Sequence, residues 1–448
     1  MAESIARNVV VPKDLVTSMQ RVAGPKRTQL KLYPTRGAGP LTVPYAGTTT
    51  VQFEFPTKSI NFPLSRIAGN IVFPASGDQY IRTYVTADSP SLIGAGSFKA
   101  RTGGTLFDME YVPNFCKMVN RYDKDINEVM SNDERDAIFP LRSNTETRNI
   151  TGSVINHAYV EAAYNTHSGL NAAYTLPLGE SLADIFPHTI FAKKHDIKFP
   201  EIMTLTLRLG PGNRYAWLAG SNGNDVPWNT VADLAGDITI TDFHILLSIN
   251  DDPKLEDVIN RELMSGVRYV MDTVVCSQNR FPQTDSQNVS ITYNSGHGKR
   301  IKKIYHSVFN NTETRNVALD NDCVATRKVT EYTVKINDRS ITDDKLLTNP
   351  VYPTAYYYHK PLLKGTSVTS ANIYHANFVH IEDLGRLGSP HDQNLLGIRP
   401  ESVVAGISLD QDFKFTFAAS TQNVAYVHYT FAVVQRDILI TATSIHID

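Results

Sequence analysis

The sequence lacks the patterns that mark most enzymes and most disulfide-stabilised proteins. Its 448 residues include only three cysteines, Cys116, Cys276 and Cys323, which are too widely spaced for a zinc motif and too few for a disulfide framework. It contains no phosphate-binding glycine loop, no serine nucleophile elbow and no paired-histidine metalloprotease motif. We therefore expect no catalytic residues, no metal site and no cofactor, and we interpret the protein as non-enzymatic.

Long apolar runs and a strong charge of one sign are also missing. The formal net charge is -2, so a surface devoted as a whole to nucleic acid is not expected. The apolar run Val9-Val10-Val11 is too short for a secretion signal and is followed by Pro12 and Lys13. No apolar run approaches membrane-spanning length. We expect a chain without a signal peptide.

Apolar and polar residues alternate with a period of two in both halves of the chain, which indicates β-strands. The clearest apolar stripes are Val51, Phe53 and Phe55; Met203, Leu205, Leu207 and Leu209; Phe413, Phe415 and Phe417; and Val427, Tyr429, Phe431 and Val433. No regular helix separates consecutive strands. This pattern argues against a βαβ protein and favours sandwiches or barrels, so the predicted fold class is all-β.

One helix is strongly predicted, over Pro253 to Ser265. Asp252 suits the N-cap, Pro253 suits the first helical position and Gly266 can end the helix. Weaker helical patterns cover Asp123 to Met130 and Glu180 to Phe186.

Strand patterns precede the strong helix and resume directly after it, so we interpret it as a connector between two β-units. The predicted organisation is an N-terminal arm over 1–29, a first unit over 30–250, the connector over 251–266 and a second unit over 267–448. The candidate site residues are those on the apolar face of the connector helix: Leu255, Val258, Ile259 and Leu263.

Basic residues are concentrated in two places. Lys299, Arg300, Lys302 and Lys303 form a cluster for which a solvated loop leading into a strand is favoured over contact with nucleic acid. The N-terminal arm is mildly basic and has no helical stripe. For the arm we weigh a frayed terminus equally with a segment that orders against a neighbour or a membrane surface.

Residues 176–210, LPLGESLADIFPHTIFAKKHDIKFPEIMTLTLRLG, combine a proline-bearing apolar segment with a strand of alternating leucines. A loop with Tyr215 and Trp217 follows. With the two β-units and the joining helix, this stretch resembles the late part of the first roll in the double jelly-roll major capsid proteins of the adenovirus, virophage and polinton-like lineage. The ending, from Val424 to Ile440, resembles the final strand of the second roll.

The resemblance implies two tandem jelly-roll β-sandwiches joined by a short helix. It also implies a homotrimer, a pseudo-hexagonal capsomer that tiles an icosahedral shell as the viral coat. The implied partners are neighbouring capsomers, penton or minor capsid proteins, and an internal membrane or genome beneath the N-terminal arm. The implied location is the virion, after synthesis in the interior of the host cell.

Three other interpretations remain open at this point. A single-jelly-roll coat protein with a projecting domain would share the composition, although a strongly basic arm would be typical of it. A tandem β-sandwich carbohydrate-binding or adhesin-like protein would use exposed aromatic platforms, and the chain has only Trp217 and Trp228. A β-rich hydrolase without a recognisable motif is the third.

Overall fold

The fold is taken from a computed structural model of the chain. It describes residues 26–74, 81–86, 92–119, 159–161, 174–214, 216–220, 231–232, 236–281, 286–293, 300–310, 329–332, 334–336, 339–340, 346–347, 379–383, 409–417 and 426–447. The helix predicted over Asp123 to Met130 and most of the predicted N-terminal arm lie outside these ranges.

The strands before the long helix form three antiparallel sheets. Their bounds are β1 Arg27–Leu32, β2 Leu41–Val43, β3 Thr49–Phe55, β4 Ser59–Phe73, β5 Ile81–Thr86, β6 Ile93–Ala100, β7 Thr105–Glu110, β8 Tyr159–Glu161, β9 Tyr174–Ser181, β10 Ile197–Lys198, β11 Met203–Leu209, β12 Ala216–Gly220, β13 Val231–Ala232 and β14 Ile238–Asn250. One sheet has the order β1-β14-β4-β10, with β2 beside β14 and β9 beside β4. The second has the order β3-β11-β6-β7, and the third β13-β12-β5-β8.

The strands after the helix form two further antiparallel sheets. Their bounds are β15 Val267–Phe281, β16 Ser286–Tyr293, β17 Arg300–Asn310, β18 Val329–Tyr332, β19 Val334–Ile336, β20 Arg339–Ser340, β21 Leu346–Leu347, β22 Val379–Asp383, β23 Leu409–Phe417, β24 Tyr426–Ile440 and β25 Ile445–Ile447. One sheet has the order β15-β24-β17-β22, with β25 beside β24. In the other, β23 pairs with β16, β18 and β19, β18 pairs with β21, and β19 pairs with β20.

Both halves share one strand order. If the principal strands of each half are numbered from one to eight along the chain, one sheet has the order 1-8-3-6 and the other 2-7-4-5. In the first half β9 and β10 share the sixth position. In the second half β18 and β19 share the fourth, and β20 and β21 share the fifth. This order defines a jelly roll. The predicted double jelly roll is confirmed, and the single-jelly-roll alternative is wrong because the second half has the same topology.

The register also fixes the direction of the strands in the first roll. Arg27, at the start of β1, pairs with Asn250, at the end of β14, and we call this the arm end. In the numbering of the principal strands from one to eight, the odd-numbered strands run away from the arm end and the even-numbered strands run back to it. The connections between strands 3 and 4, 5 and 6, and 7 and 8 therefore all lie at the opposite end.

The core of the first roll is rich in phenylalanine because each sheet contributes aromatic side chains to the space between them. The Phe62 and Phe191 rings stack with centroids 4.7 Å apart. Phe98 packs edge-on to Phe191 at 4.8 Å and to Phe55 at 5.3 Å. All four side chains are fully buried. Burial on this scale removes large apolar areas from water and stabilises the sandwich.

Two of the predicted stripes in the first roll match the structure residue by residue. In β11, Met203, Leu205, Leu207 and Leu209 are buried while the residues between them are half-buried. In β3, Val51, Phe53 and Phe55 are buried while Gln52 and Glu54 are exposed. The sandwich core therefore follows directly from the period-two pattern.

Three α-helices interrupt the strands in the described part of the chain: α1 Val112–Met118, α2 Leu182–Ile185 and α3 Pro253–Ser265. Helix α3 has the predicted bounds. Helix α2 is shorter than predicted, because Glu180 and Ser181 still pair with β4 and because Phe186 precedes a proline, which disfavours helical geometry.

Candidate functional site: the connector helix and the contact between the two rolls

Helix α3 begins and ends at capping residues that the sequence predicted. The Asp252 side chain accepts a hydrogen bond of 3.0 Å from the Lys254 backbone N–H, and Pro253 occupies the first turn. Gly266 follows the helix with φ of 81°, a conformation that a residue with a Cβ rarely adopts. Its N–H donates to the Leu263 carbonyl at 3.1 Å. These caps fix where the chain leaves β14 and where it enters β15.

A polar cluster holds α3 against the first roll. The Glu256 carboxylate accepts hydrogen bonds from Ser59 Oγ at 2.6 Å and Lys198 Nζ at 2.5 Å. The same Lys198 ammonium donates to Asn260 Oδ1 at 2.8 Å. Burial opposes ionisation of Glu256, but the bonds from Lys198 and Ser59 outweigh burial and hold its pKa below the ordinary value. The helix is therefore attached to β4 and β10.

The four predicted site residues of the helix are buried to different degrees. Leu263 is 4% exposed and belongs to the hydrophobic core. Ile259 is partly buried and packs against that core. Leu255 and Val258 are half-buried. The apolar face is therefore anchored at its carboxyl-terminal half, and the role of these residues in joining the two rolls stays a prediction.

The Glu256 cluster makes stability depend on pH. Because the folded-state pKa of Glu256 lies below its ordinary 4.5, the carboxylate stabilises the fold at neutral pH, and this contribution is lost as pH falls through the folded value. We expect Glu256→Gln to lower the free energy of unfolding by about 1 kcal/mol at pH 7, since solvent screens part of the interaction. The difference should shrink as pH falls below 4.5 and vanish once the carboxyl group is protonated in the folded protein. Denaturant titrations at several pH values measure it, with Asp257→Asn on the exposed helix face as the control; an equal pH response in both variants would contradict the assignment.

The two rolls meet through an aromatic contact that the sequence analysis did not anticipate. Phe115 of α1 packs edge-on to Tyr305 of β17 with centroids 5.5 Å apart and against Phe431 of β24 at 5.0 Å. Tyr111 packs edge-on to Tyr429 at 4.9 Å. Phe115, Tyr305 and Phe431 are fully buried. The core is therefore continuous from one roll to the other.

Polar groups surround this aromatic contact. His188 Nε2 lies 3.2 Å from the Tyr305 hydroxyl, and Arg436 donates a hydrogen bond of 3.3 Å to the Thr105 carbonyl. Burial, with a smaller contribution from Glu110, raises the pKa of the Cys276 thiol. An apolar centre with a polar rim is the usual anatomy of a specific protein interface.

The contacts also fix the relative orientation of the rolls. Thr105, at the arm-end start of β7, meets Arg436, near the end of β24, whereas Tyr111 just beyond β7 meets Tyr429. Strand β24 is the eighth strand of its roll, as β14 is of the first, and both end at the arm end. The rolls therefore stand side by side with the same polarity.

The amino-terminal strand is held to the first roll by ion pairs. Arg27 Nη2 lies 2.9 Å from Asp196 Oδ1, which also accepts a hydrogen bond of 2.9 Å from Asn61 Nδ2. The exposed pair Lys26–Asp251 has an Nζ–Oδ2 distance of 3.2 Å. The point from which the predicted arm departs thus lies next to the start of α3.

The basic cluster falls partly within the described chain. Arg300 begins β17, whereas Lys299 and the predicted loop before it lie outside the described residues. Lys302 Nζ lies 2.7 Å from Asp272 Oδ1. Burial lowers the pKa of nearby Lys193, with the charge of Asp272 opposing the shift and that of Lys302 adding to it. Lys302 therefore takes part in the polar rim between the rolls.

Within the described ranges, no group of three or more His, Cys, Asp or Glu residues is placed to hold a metal ion. None of the helices described is both long enough and apolar enough to cross a membrane.

No protein-family model matches the sequence, and no curated protein matches it. Solved structures do. The Sputnik virophage structure gives a TM-score of 0.58 at 14% identity, covering 96% of this chain and 91% of that chain. The mavirus major capsid protein gives 0.54 at 13%, covering 94% and 90%. The PBCV-1 capsid model gives 0.53 at 10%, covering 95% and 97%.

These likenesses extend over nearly the full length of both partners, and they agree with the strand order read from the sheets. The chain therefore has the double jelly-roll fold of the viral major capsid proteins.

Proposed function

We propose that this protein is a non-enzymatic viral major capsid protein that assembles into pseudo-hexagonal homotrimers. The observation that carries the proposal is the pair of jelly rolls with one strand order and one polarity, packed through a continuous apolar core. A chain with two such rolls has an approximate internal twofold repeat. Three chains around a threefold axis then present six similar rolls, which is the symmetry that a hexagonal lattice requires.

The division between the two ends of the molecule supports the same proposal. The start of β1, the end of β14 and the start of α3 lie together at the arm end of the first roll. The connections that carry β5, β8, β12 and β13, which we call the insertions, begin and end at the other end of the roll. In a shell built from upright rolls, the predicted arm would lie beneath the capsomer, next to a membrane or genome, and the insertions would face outward. Neighbouring capsomers and penton or minor capsid proteins would be its partners in the virion.

The proposal is tested by assembly. We expect the purified 448-residue chain to have a native mass three times its 49.8 kDa by light scattering. Negative-stain electron microscopy should reveal flat particles with a hexagonal outline and threefold symmetry. Stable interfaces between chains should bury at least about 1,000 Å² each, so trimers should survive dilution. A monodisperse monomer at high protein concentration would overturn the proposal.

A further inference from the structure

Helix α1 of the first roll docks on one row of residues in the second roll, which we call the covered row. Phe431 of β24 pairs with Cys276 of β15 and with Tyr305 of β17, and Tyr305 pairs with Ile381 of β22. Directly paired residues on neighbouring antiparallel strands share a face of the sheet. The ring of Phe115 contacts Tyr305 and Phe431 in the middle of this row. The segment after the fifth strand of one roll therefore packs on strands 1, 8, 3 and 6 of the other.

The corresponding strands of the first roll carry a matching row, which we call the first-roll row. Leu246 of β14 pairs with Lys31 of β1 and with Arg66 of β4, and Arg66 pairs with Ser181 of β9. The row lies on the face turned away from the core, because successive side chains of a strand point to opposite faces and the next residue of β14, Leu247, is fully buried in the core. Both rolls therefore have an outer face built from strands 1, 8, 3 and 6.

The two rows differ in their exposure to solvent. In the covered row, Tyr305 and Phe431 are fully buried where the ring of Phe115 packs on them. In the first-roll row, the Lys31 side chain is 51% exposed. The other three members of that row are half-buried. The chain thus buries this face in its second roll and leaves it partly accessible in its first.

The contact between the rolls joins unlike surfaces, so it can be repeated from roll to roll. The first roll contributes the segment after its fifth strand, and the second roll contributes the outer face of strands 1, 8, 3 and 6. Head-to-tail contacts of this kind generate closed rings when the rotation between units closes. Because both rolls have the same strand order and the same polarity, the same contact can lead from the second roll of one chain to the first roll of the next. Three chains would close such a ring.

We propose that the first-roll row is the surface on which the second roll of a neighbouring copy of this chain docks. This inference rests on the trimer proposed above and adds which face of the first roll the trimer buries. The docking segment would follow the fifth strand of the second roll, in a part of the chain outside the described residues. Only the receiving surface is therefore assigned to particular residues.

The chemistry of the first-roll row suits a surface that forms between separately folded chains. The covered row is apolar and aromatic, as expected of a contact that is buried while one chain folds. A surface between chains contacts water before assembly, so it needs polar residues around a smaller apolar centre. Leu246 is half-buried within the row, and Leu64, two residues before Arg66, is 59% exposed. Lys31 and Arg66 add two positive charges, so we expect acidic or carbonyl oxygen acceptors on the docking roll.

Lysine footprinting of the 448-residue chain tests this surface without any substitution. Lys31 is matched by Lys99 of β6, which lies on the outer face of the other sheet. Their side chains are 51% and 47% exposed, and their ammonium groups lie 3.4 Å from Asp242 and 3.8 Å from Asp108, respectively. In an isolated chain the two lysines should react at similar rates. Brief acetylation of the trimer, measured by mass spectrometry, should modify Lys31 at least about fivefold more slowly than Lys99, because a docked roll excludes solvent from the interface.

Charge reversal provides a second measurement. The double substitution Lys31→Glu and Arg66→Glu places two negative charges on the first-roll row and should reduce the native mass from that of a trimer to that of a monomer by light scattering. Lys99→Glu with Arg208→Glu is the matched control, since both residues lie on the outer face of the other sheet and each makes an ion pair with an acidic neighbour. The control should remain a trimer. Circular dichroism identifies any variant that fails to fold.

The outcomes distinguish failure of this inference from failure of the capsid proposal. A parent chain that stays monomeric overturns both. A trimeric parent in which Lys31 and Lys99 react at equal rates overturns the docking surface and leaves the trimer standing. A folded protein with Lys31→Glu and Arg66→Glu that remains trimeric has the same meaning. If that variant does not fold, footprinting of the parent decides the question.

Discussion

Phe115→Ala should uncouple the two jelly rolls and divide thermal unfolding into two transitions. Phe115 is fully buried on α1, where its ring meets Tyr305 and Phe431 of the second roll. Truncating a buried phenylalanine costs about 3–5 kcal/mol through lost burial and the cavity that remains. Because the lost contacts join the rolls, the cost falls on their association, and differential scanning calorimetry should resolve the rolls as separate units.

Phe53→Ala provides the matched control. Phe53 is equally buried, but its ring packs edge-on to Phe243 of the same roll, with centroids 5.5 Å apart. Its loss should destabilise the first roll without a specific effect on the contact between rolls. If Phe115→Ala and Phe53→Ala instead lower one common transition by the same amount, the two rolls unfold as a single cooperative body and the independent-unit interpretation fails.

Leu263→Asp should abolish assembly into the proposed soluble trimer. Leu263 is 4% exposed in the core at the carboxyl-terminal end of α3, directly before β15. An unpaired carboxylate there would have to give up its hydration, which costs several kcal/mol and consumes much of the stability of a typical domain. Ile259→Asp should have a smaller effect because Ile259 is partly buried, and Leu255→Asp a smaller one still. Soluble yield and native mass by light scattering rank the three variants.

Met264→Asp is the control for this series. Met264 follows Leu263 directly on the same helix and is 79% exposed. Substitution there should change the free energy of unfolding by less than about 0.5 kcal/mol and leave assembly intact. Equal behaviour of Leu263→Asp and Met264→Asp would mean that the helix does not anchor the junction between the rolls.

The connector helix illustrates how much local sequence can determine. Asp252, Pro253 and Gly266 act through the backbone of their immediate neighbours, so the bounds of α3 were predictable from the sequence. Which apolar residue on the helix is most buried was not predictable in the same way. Leu255 and Leu263 are equivalent in a helical pattern, and only packing against the rolls separates them.

Strand β24 marks the limit of period-two reasoning. Its stripe of Val427, Tyr429, Phe431 and Val433 predicted one buried face, yet His428, Thr430, Ala432 and Val434 are buried as well. The strand has protein on both sides because the second roll packs its own sheet against the first. A burial pattern that depends on a neighbouring unit leaves little trace in the alternation of one strand.

The sequence alone determined the all-β class, the stripes of the sandwich core and the position of the connector helix, because each depends on residues close together in the chain. The strand order 1-8-3-6 and 2-7-4-5 and the aromatic contact between the rolls were decided by the tertiary structure. Each of these depends on pairing between segments many residues apart, and periodicity carries no information about which strand pairs with which.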